Sequence, residues 1–151
     1  MTTVLVVEDD PTVAELVRAV INDVPTWRAV VAYDAPSAME LLEHVRPHVL
    51  VVDVMLPGVT GIELLAALRR RADWHDPPVL VMSANVPAQA VERSLGSDPY
   101  TQFLAKPFDI DELVEAITRA LEARRLDREA LLPVDRREAG RSSPSAEERA
   151  S

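Results

Sequence analysis

The stretch that decides the fold is VLVVEDDP, residues 4–11, in which four apolar residues run straight into Glu8, Asp9 and Asp10 and then a proline. Val4 to Val7 lack the polar alternation of a half-exposed strand, so they read as a strand buried on both faces, as in a parallel sheet covered by helices. Asp10 is placed as an N-cap and Pro11 as the first residue of a helix reaching about Asn22, with Val13, Leu16, Val17 and Val20 at i, i+3, i+4 and i+7. Three adjacent carboxylates stand at the junction. Each close pair repels by roughly 4 kcal/mol at ~4 Å with an effective dielectric near 20, so the cluster calls for a cation or a chemistry that uses it.

The same unit repeats along the chain. RAVVA (28–32), HVLVVD (48–53), PVLVM (78–82) and QFLA (102–105) are further strands. A second helix follows Asp34, carries Ala38, Leu41, Leu42 and Val45 on one face, and stops at Pro47. Thr60-Gly-Ile-Glu63 reads as a capping box opening a third helix, with Arg69, Arg70 and Arg71 at the end where the helix dipole favours cations. A short fourth helix is expected over about Pro87 to Leu95 with Gly96 as its C-cap, and a fifth over about Ile110 to Arg125, its start marked by Asp109 and Glu112. Strict βα alternation predicts an α/β fold with a doubly wound, five-stranded parallel sheet, because parallel strands need crossover helices.

Residues 1–126 form the predicted domain, and residues 127–151, rich in Arg, Glu, Ser, Pro and Ala, a disordered or loosely attached tail. That tail carries six acidic and five basic residues, so it has no strong electrostatic target. A net charge of −9 argues against nucleic acid and anionic membranes as partners. The absence of cysteine excludes disulfides and thiolate metal sites. No run approaches the ~20 apolar residues of a membrane span, and a cytoplasmic location is the expectation.

Folds of this kind place their ligands at the carboxyl ends of the strands. Those ends carry Glu8, Asp9 and Asp10 after the first strand, Asp53 closing the third, Ser83 after the fourth and Lys106 after the fifth. Singly, each has an ordinary reading: Asp10 as a cap, Asp53 as a solvated strand end, Ser83 as a turn residue, Lys106 as a surface lysine. Together they supply carboxylates, a hydroxyl and an ammonium to one crevice. Mg²⁺ takes oxygen ligands, one or two carboxylates among them, and an aspartate can act as a nucleophile toward phosphorus. Glu8, Asp9 and Asp53 would hold the metal, and Lys106 and Ser83 the phosphoryl oxygens.

At these residues the sequence resembles the receiver domain of bacterial two-component response regulators, of which the chemotaxis protein CheY is a single-domain example. The resemblance rests on VVEDDP, on DVMLPGVTG from Asp53 to Gly61, on MSA around Ser83 and on KPF at 106–108, and it covers residues 1 to 125. It implies a flavodoxin-like, CheY-like (βα)5 fold and a stand-alone response regulator that catalyses only its own phosphorylation and dephosphorylation. Asp53 would accept a phosphoryl group from a sensor histidine kinase or a histidine phosphotransfer protein. Asp9 and Asp53 would bind Mg²⁺ directly, Glu8 through water, and the Met55 carbonyl would complete the ligands.

By the same resemblance, Ser83 would turn its hydroxyl to the phosphate, beside the Ala84 amide, and Phe103 would move inward with it. Pro107 would follow a cis peptide bond. The face formed by the fourth helix, fifth strand and fifth helix would meet a downstream protein. A receiver fragment lacking its output domain, or a relay passing the phosphoryl group on to a histidine, are the alternative roles. Phe103 departs from the family in lacking the hydroxyl of the tyrosine common there. Gly96 stands seven residues before Phe103, further than the usual Gly-Ala, so a longer loop with Asp98, Pro99 and Tyr100 is expected. Met55 and Asn85 hold the positions that tune water access to the acyl phosphate, and apolar Met55 predicts slow self-dephosphorylation.

Two rivals fail on the residues. A haloacid dehalogenase-type phosphatase needs an acid two positions after the nucleophile, where this chain has Met55. A flavodoxin-like cofactor binder needs a phosphate cradle after the first strand, where three carboxylates would repel the anion. His44, His48 and His75 lack metal-ligand spacing and read as surface or loop residues, Trp27 and Trp74 as packing residues beside strand entrances, and Arg69 to Arg71 as a solvated helix end.

Overall fold

A computed structural model of the chain describes residues 1–74, 76–84, 93 and 101–131, with backbone alone for 127–131. Five strands form one parallel sheet: β1 (Thr2–Val7), β2 (Trp27–Ala32), β3 (Val49–Asp53), β4 (Val79–Ser83) and β5 (Thr101–Ala105), in the spatial order β2-β1-β3-β4-β5. The helices are α1 (Pro11–Asn22), α2 (Ala35–Leu41), α3 (Gly61–Arg69) and α4 (Ile110–Leu131). Here α4 is the fifth helix of the sequence reading. The segment expected as the fourth, with Gly96 and the loop at Asp98 to Tyr100, lies outside the described residues, as do Asn85 and His75.

Strand periodicity divides the core into two layers. Val4, Val6, Val49, Val51, Leu80 and Met82 point to the face covered by α1 and α4, where Val17, Ile21, Leu113 and Ile117 are fully or almost fully buried. Leu5, Val7, Leu50, Val52 and Val81 alternate to the opposite face, against Leu64, Leu65 and Leu68 of α3 and Ala35 and Ala38 of α2. β1, β3 and β4 are therefore apolar on both sides, which is why they read as unbroken Val/Leu runs.

Local signals set the helix starts. The Asp10 side chain accepts from the amides of Thr12 and Val13, Asp34 from that of Ser37, and Thr60 and Glu63 form the expected capping box. Asp109 and Glu112 exchange a second reciprocal pair, at 2.9 and 2.7 Å. The helix ends differ more from expectation. α2 stops at Leu41 rather than Val45, because the amides of Glu43 and His44 turn to carbonyls three residues back and tighten the last turn. α4 continues at least to Leu131, the last described residue, past the expected end near Arg125, since the sequence there goes on in good helix formers.

One ordinary reading is corrected and another, the surface or loop placement of His48, holds with a role added. Arg69 is not merely a solvated helix end: its guanidinium donates to Thr101 Oγ1 at 3.0 Å and ties α3 to the start of β5, while Arg71 pairs with Asp73 at 2.9 Å. His48 is exposed, yet its Nδ1 accepts the Thr3 amide at 3.0 Å while its own amide donates to the Thr3 carbonyl at 2.8 Å. This pairing fixes β1 against β3 at the foot of the sheet. Trp27 and Trp74 are partly buried packing residues, as expected.

Candidate functional site

The strand order reverses at β1, so the carboxyl ends of β1 and β3 open a crevice between them. The three adjacent carboxylates separate there into three roles. Asp10 turns away to cap α1. Glu8 points inward and is fully buried, and Asp9 stays exposed on the crevice wall. Asp53 arrives from β3, almost fully buried, and ligand oxygens of Glu8, Asp9 and Asp53 all lie within 4.8 Å of one another.

Lys106 reaches across from the end of β5. Its Nζ donates to Glu8 Oε1 at 2.8 Å and to Asp53 Oδ2 at 2.9 Å, so one ammonium bridges the two buried carboxylates. The remaining oxygens are engaged as well: Glu8 Oε2 accepts the Asp10 amide at 3.1 Å and Asp53 Oδ1 the Met55 amide at 3.0 Å. Burial pushes the Glu8 carboxyl up to about 7, opposed by the hydrogen bond from Lys106 and reinforced by neighbouring Asp53. For Lys106, burial pulls downward, but the hydrogen bonds to Glu8 and Asp53 outweigh it and hold the amine above its ordinary value.

Ser83 ends β4 beside this cluster and is nearly buried; its carbonyl accepts the Lys106 amide at 2.9 Å, setting the depth of the lysine. The Lys106–Pro107 peptide is cis, as the resemblance implies. Met55 is exposed at the crevice mouth. Phe103 lies half-buried against the layer beneath α3, two positions before the end of β5.

The sequence reading passed over two glycines that shape the crevice. A Cβ on Gly61 would lie 2.3 Å from the Asp53 carbonyl oxygen and 2.8 Å from Val52 Cγ1, so only glycine lets the start of α3 pack on the end of β3. Gly58 has φ of 77°, and the Val59 amide closes a three-residue turn onto the Pro57 carbonyl. A glycine as the first helical residue after a capping threonine was the available signal for Gly61.

Three carboxylates with hard oxygen donors fit a divalent cation of the magnesium class. Fold and site together define a doubly wound α/β domain with an acidic, lysine-bridged crevice at its topological switch point. The chain belongs to the response regulator receiver domain family, whose pattern matches residues 4–118. It is 37% identical over 121 residues to the response regulator Rre1 of Synechocystis sp., covering 80% of this chain and 51% of that protein. It is also 37% identical to the probable transcriptional regulatory protein TcrX of Mycobacterium tuberculosis, covering 74% and 46%. The chain thus spans about half the length of the curated relatives it matches.

Among solved structures, the receiver domain of the Francisella response regulator 1452 superposes with a TM-score of 0.70 at 30% identity, covering 82% of this chain and 99% of that one. The Vibrio cholerae chemotaxis response regulator CheY4 gives 0.71 at 25% identity, covering 80% and 99%. The longer NtrX of Brucella abortus gives 0.73 at 28% identity, covering 85% of this chain and 28% of that one. No described helix is long and apolar enough to cross a membrane.

Proposed function

We propose that this receiver works as a phosphorylation-dependent switch whose phosphoryl acceptor is Asp53. The observation that carries the reading is the Lys106 ammonium bridging Asp53 and Glu8 within a cluster of three carboxylates. An Asp53 carboxylate oxygen attacks phosphorus of a phosphohistidine on a sensor kinase or histidine phosphotransfer protein. The phosphorus–nitrogen bond breaks, and the imidazole leaves with the bonding pair and takes up a proton. Asp9 and Asp53 would hold Mg²⁺ directly, with the Met55 carbonyl; Glu8, whose two oxygens are already engaged, would act through water. When bound, the metal would neutralise charge on the transferring group.

Lys106 then exchanges its carboxylate partners for phosphoryl oxygens, and Ser83 turns its hydroxyl toward them. Phe103 follows inward. The phosphorylated arrangement is a minor state made dominant, in the two-state sense, and the chain catalyses only reactions of its own acyl phosphate. For the donor protein, an open groove of about 510 Å³ between α1 and α4 offers the partly buried Phe108 along its length. Leu16 and Ile110 on its rim are 53% and 59% exposed. A downstream protein would read β5 and the helices flanking it. Relatives carry further sequence beyond this domain, and the switch is the same whether its target is a separate protein, an output domain in the same chain or a histidine in a relay.

The test is intact-mass spectrometry after incubation with acetyl phosphate and Mg²⁺, beside Asp53→Asn and a chelator control. One phosphoryl group gained by the unaltered protein alone, and only with metal, is the expected result. Equal gain by Asp53→Asn, or no gain at all, would overturn the assignment.

A further inference from the structure

The foot of the sheet, at the opposite end from the acidic crevice, holds a second cavity, of about 480 Å³. It is separated from Asp53 by the length of the strands, roughly 17 to 20 Å at ~3.3 Å per residue. Among the described residues its charged lining is basic, with Arg46 before β3, and Arg124 and Arg125 on α4, in a chain whose net charge is −9. His48 and Thr2 complete the polar wall. Because His48 Nδ1 accepts the Thr3 amide, its Nε2 carries the hydrogen and is the donor left for a ligand. Acids stand beside the lining: Glu122 pairs with Arg125 on the exposed face of α4, and Asp73, which pairs with Arg71, also feels the charge of Arg46.

The remaining surface is apolar, formed by the buried rings of Pro47 and Pro77 and by Leu121. Guanidinium groups match phosphate oxygens in bidentate geometry, and several converging on one cavity suit adjacent phosphates. A volume of this size lies in the range of small-molecule sites. We propose that this cleft binds a small molecule bearing a diphosphate group, held by Arg46, Arg124, Arg125 and His48 against an apolar floor. The ligand is a nucleoside diphosphate or a simpler diphosphate, the shared chemistry being two linked phosphates. It is independent of the phosphoryl chemistry at Asp53.

The full chain is titrated with ADP and, separately, with inorganic pyrophosphate, at fixed ionic strength and with EDTA present to keep metal–diphosphate complexes from the acidic crevice. Trp27, in register with Thr2 at the cleft, and Trp74, close to Pro77 in sequence, both lie at this end and provide a fluorescence readout, with calorimetry beside it. Saturable binding of one equivalent is expected, weakened about tenfold in Arg46→Ala, the scale of one charged hydrogen bond. Weakening should be greater in Arg46→Ala/Arg124→Ala. Tighter binding of ADP assigns the apolar floor to a nucleoside; equal binding assigns the site to the diphosphate alone. Binding that does not saturate, or is unchanged in Arg46→Ala, overturns the proposal. Arg46 is exposed, so that variant decides the matter even where the double variant fails to fold.

Discussion

Lys106 holds Asp53 from the far side of the crevice: Nζ lies 2.9 Å from Oδ2 and, with the same ammonium, 2.8 Å from Glu8. Removing the lysine leaves two buried carboxylates facing each other, and breaking a buried ion pair typically costs 3–5 kcal/mol. Partial exposure of Lys106 and the readiness of Glu8 to take a proton reduce this, so Lys106→Ala should lose about 2 to 3 kcal/mol at pH 8 in EDTA. A divalent cation would supply the missing charge. Thermal melts with and without Mg²⁺ should therefore show a larger metal-induced rise for Lys106→Ala than for the unaltered protein; an equal or smaller rise would place the metal elsewhere.

Glu8 predicts an unusual pH dependence. Its carboxyl stands near 7 in the folded chain against 4.5 for the free group, so between those values the native state binds more protons than the unfolded one. Stability from this group is fully present below pH 4.5 and is lost as pH rises through 7. At ~1.4 kcal/mol per pK unit the loss is at most about 3 kcal/mol. Asp34, held low by its hydrogen bonds with Ser37, and Asp73, held low by Arg71, act in the opposite sense and at lower pH. Urea unfolding in EDTA at pH 5 and pH 8, with Glu8→Gln alongside, isolates the effect. The advantage of the native chain over the variant should shrink toward pH 8; a constant difference would remove Glu8 as its source.

Gly61 is the tightest steric demand at the site. A methyl group 2.3 Å from the Asp53 carbonyl oxygen cannot be absorbed by a side-chain rotation, because the atom it meets is backbone. Gly61→Ala must lift α3 off the end of β3 and with it the loop whose Met55 amide bonds Asp53. Overpacking of this kind costs typically 1–3 kcal/mol. The expected outcome is destabilisation in that range together with slower phosphorylation of Asp53 by acetyl phosphate. Unchanged stability would mean that the helix start moves freely.

The fold was legible because its signals are local. Buried strands announce themselves in VLVV and VLVVD, and Asp10, Asp34 and Thr60 mark helix starts by side chains that act within three residues of their own positions. The site was legible because strand ends converge by topology, so the gathering of Glu8, Asp9, Asp53, Ser83 and Lys106 followed from the βα alternation. What stayed hidden depends on partners distant in sequence. Nothing near Gly61 reveals the Asp53 carbonyl above it, nothing near Arg69 reveals Thr101, and the basic cleft draws on residues as far apart as Arg46 and Arg125. Helix ends were misjudged for a different reason. At Leu41 and at Arg125 the choice between another turn and an exit is a balance of tenths of a kcal/mol, which apolar spacing does not weigh.

Met55 sets the last expectation. Its backbone amide fixes Asp53 Oδ1, while its side chain is 57% exposed at the crevice mouth. A water attacking an acyl phosphate at Asp53 has to approach along that mouth, and a thioether can neither orient the water nor take its proton. The phosphorylated protein should consequently decay slowly once the phosphodonor is removed. Met55→Glu introduces a carboxylate able to orient the water and accept its proton, without altering the backbone amide that holds Asp53. The decay should then quicken, by about tenfold or more on the scale of general-base assistance at a partly exposed position. Following phosphorylated protein by intact mass over time, with no phosphatase present, compares the two directly. Rapid loss from the unaltered chain, or the same rate in Met55→Glu, would show that access of water is governed elsewhere in the crevice.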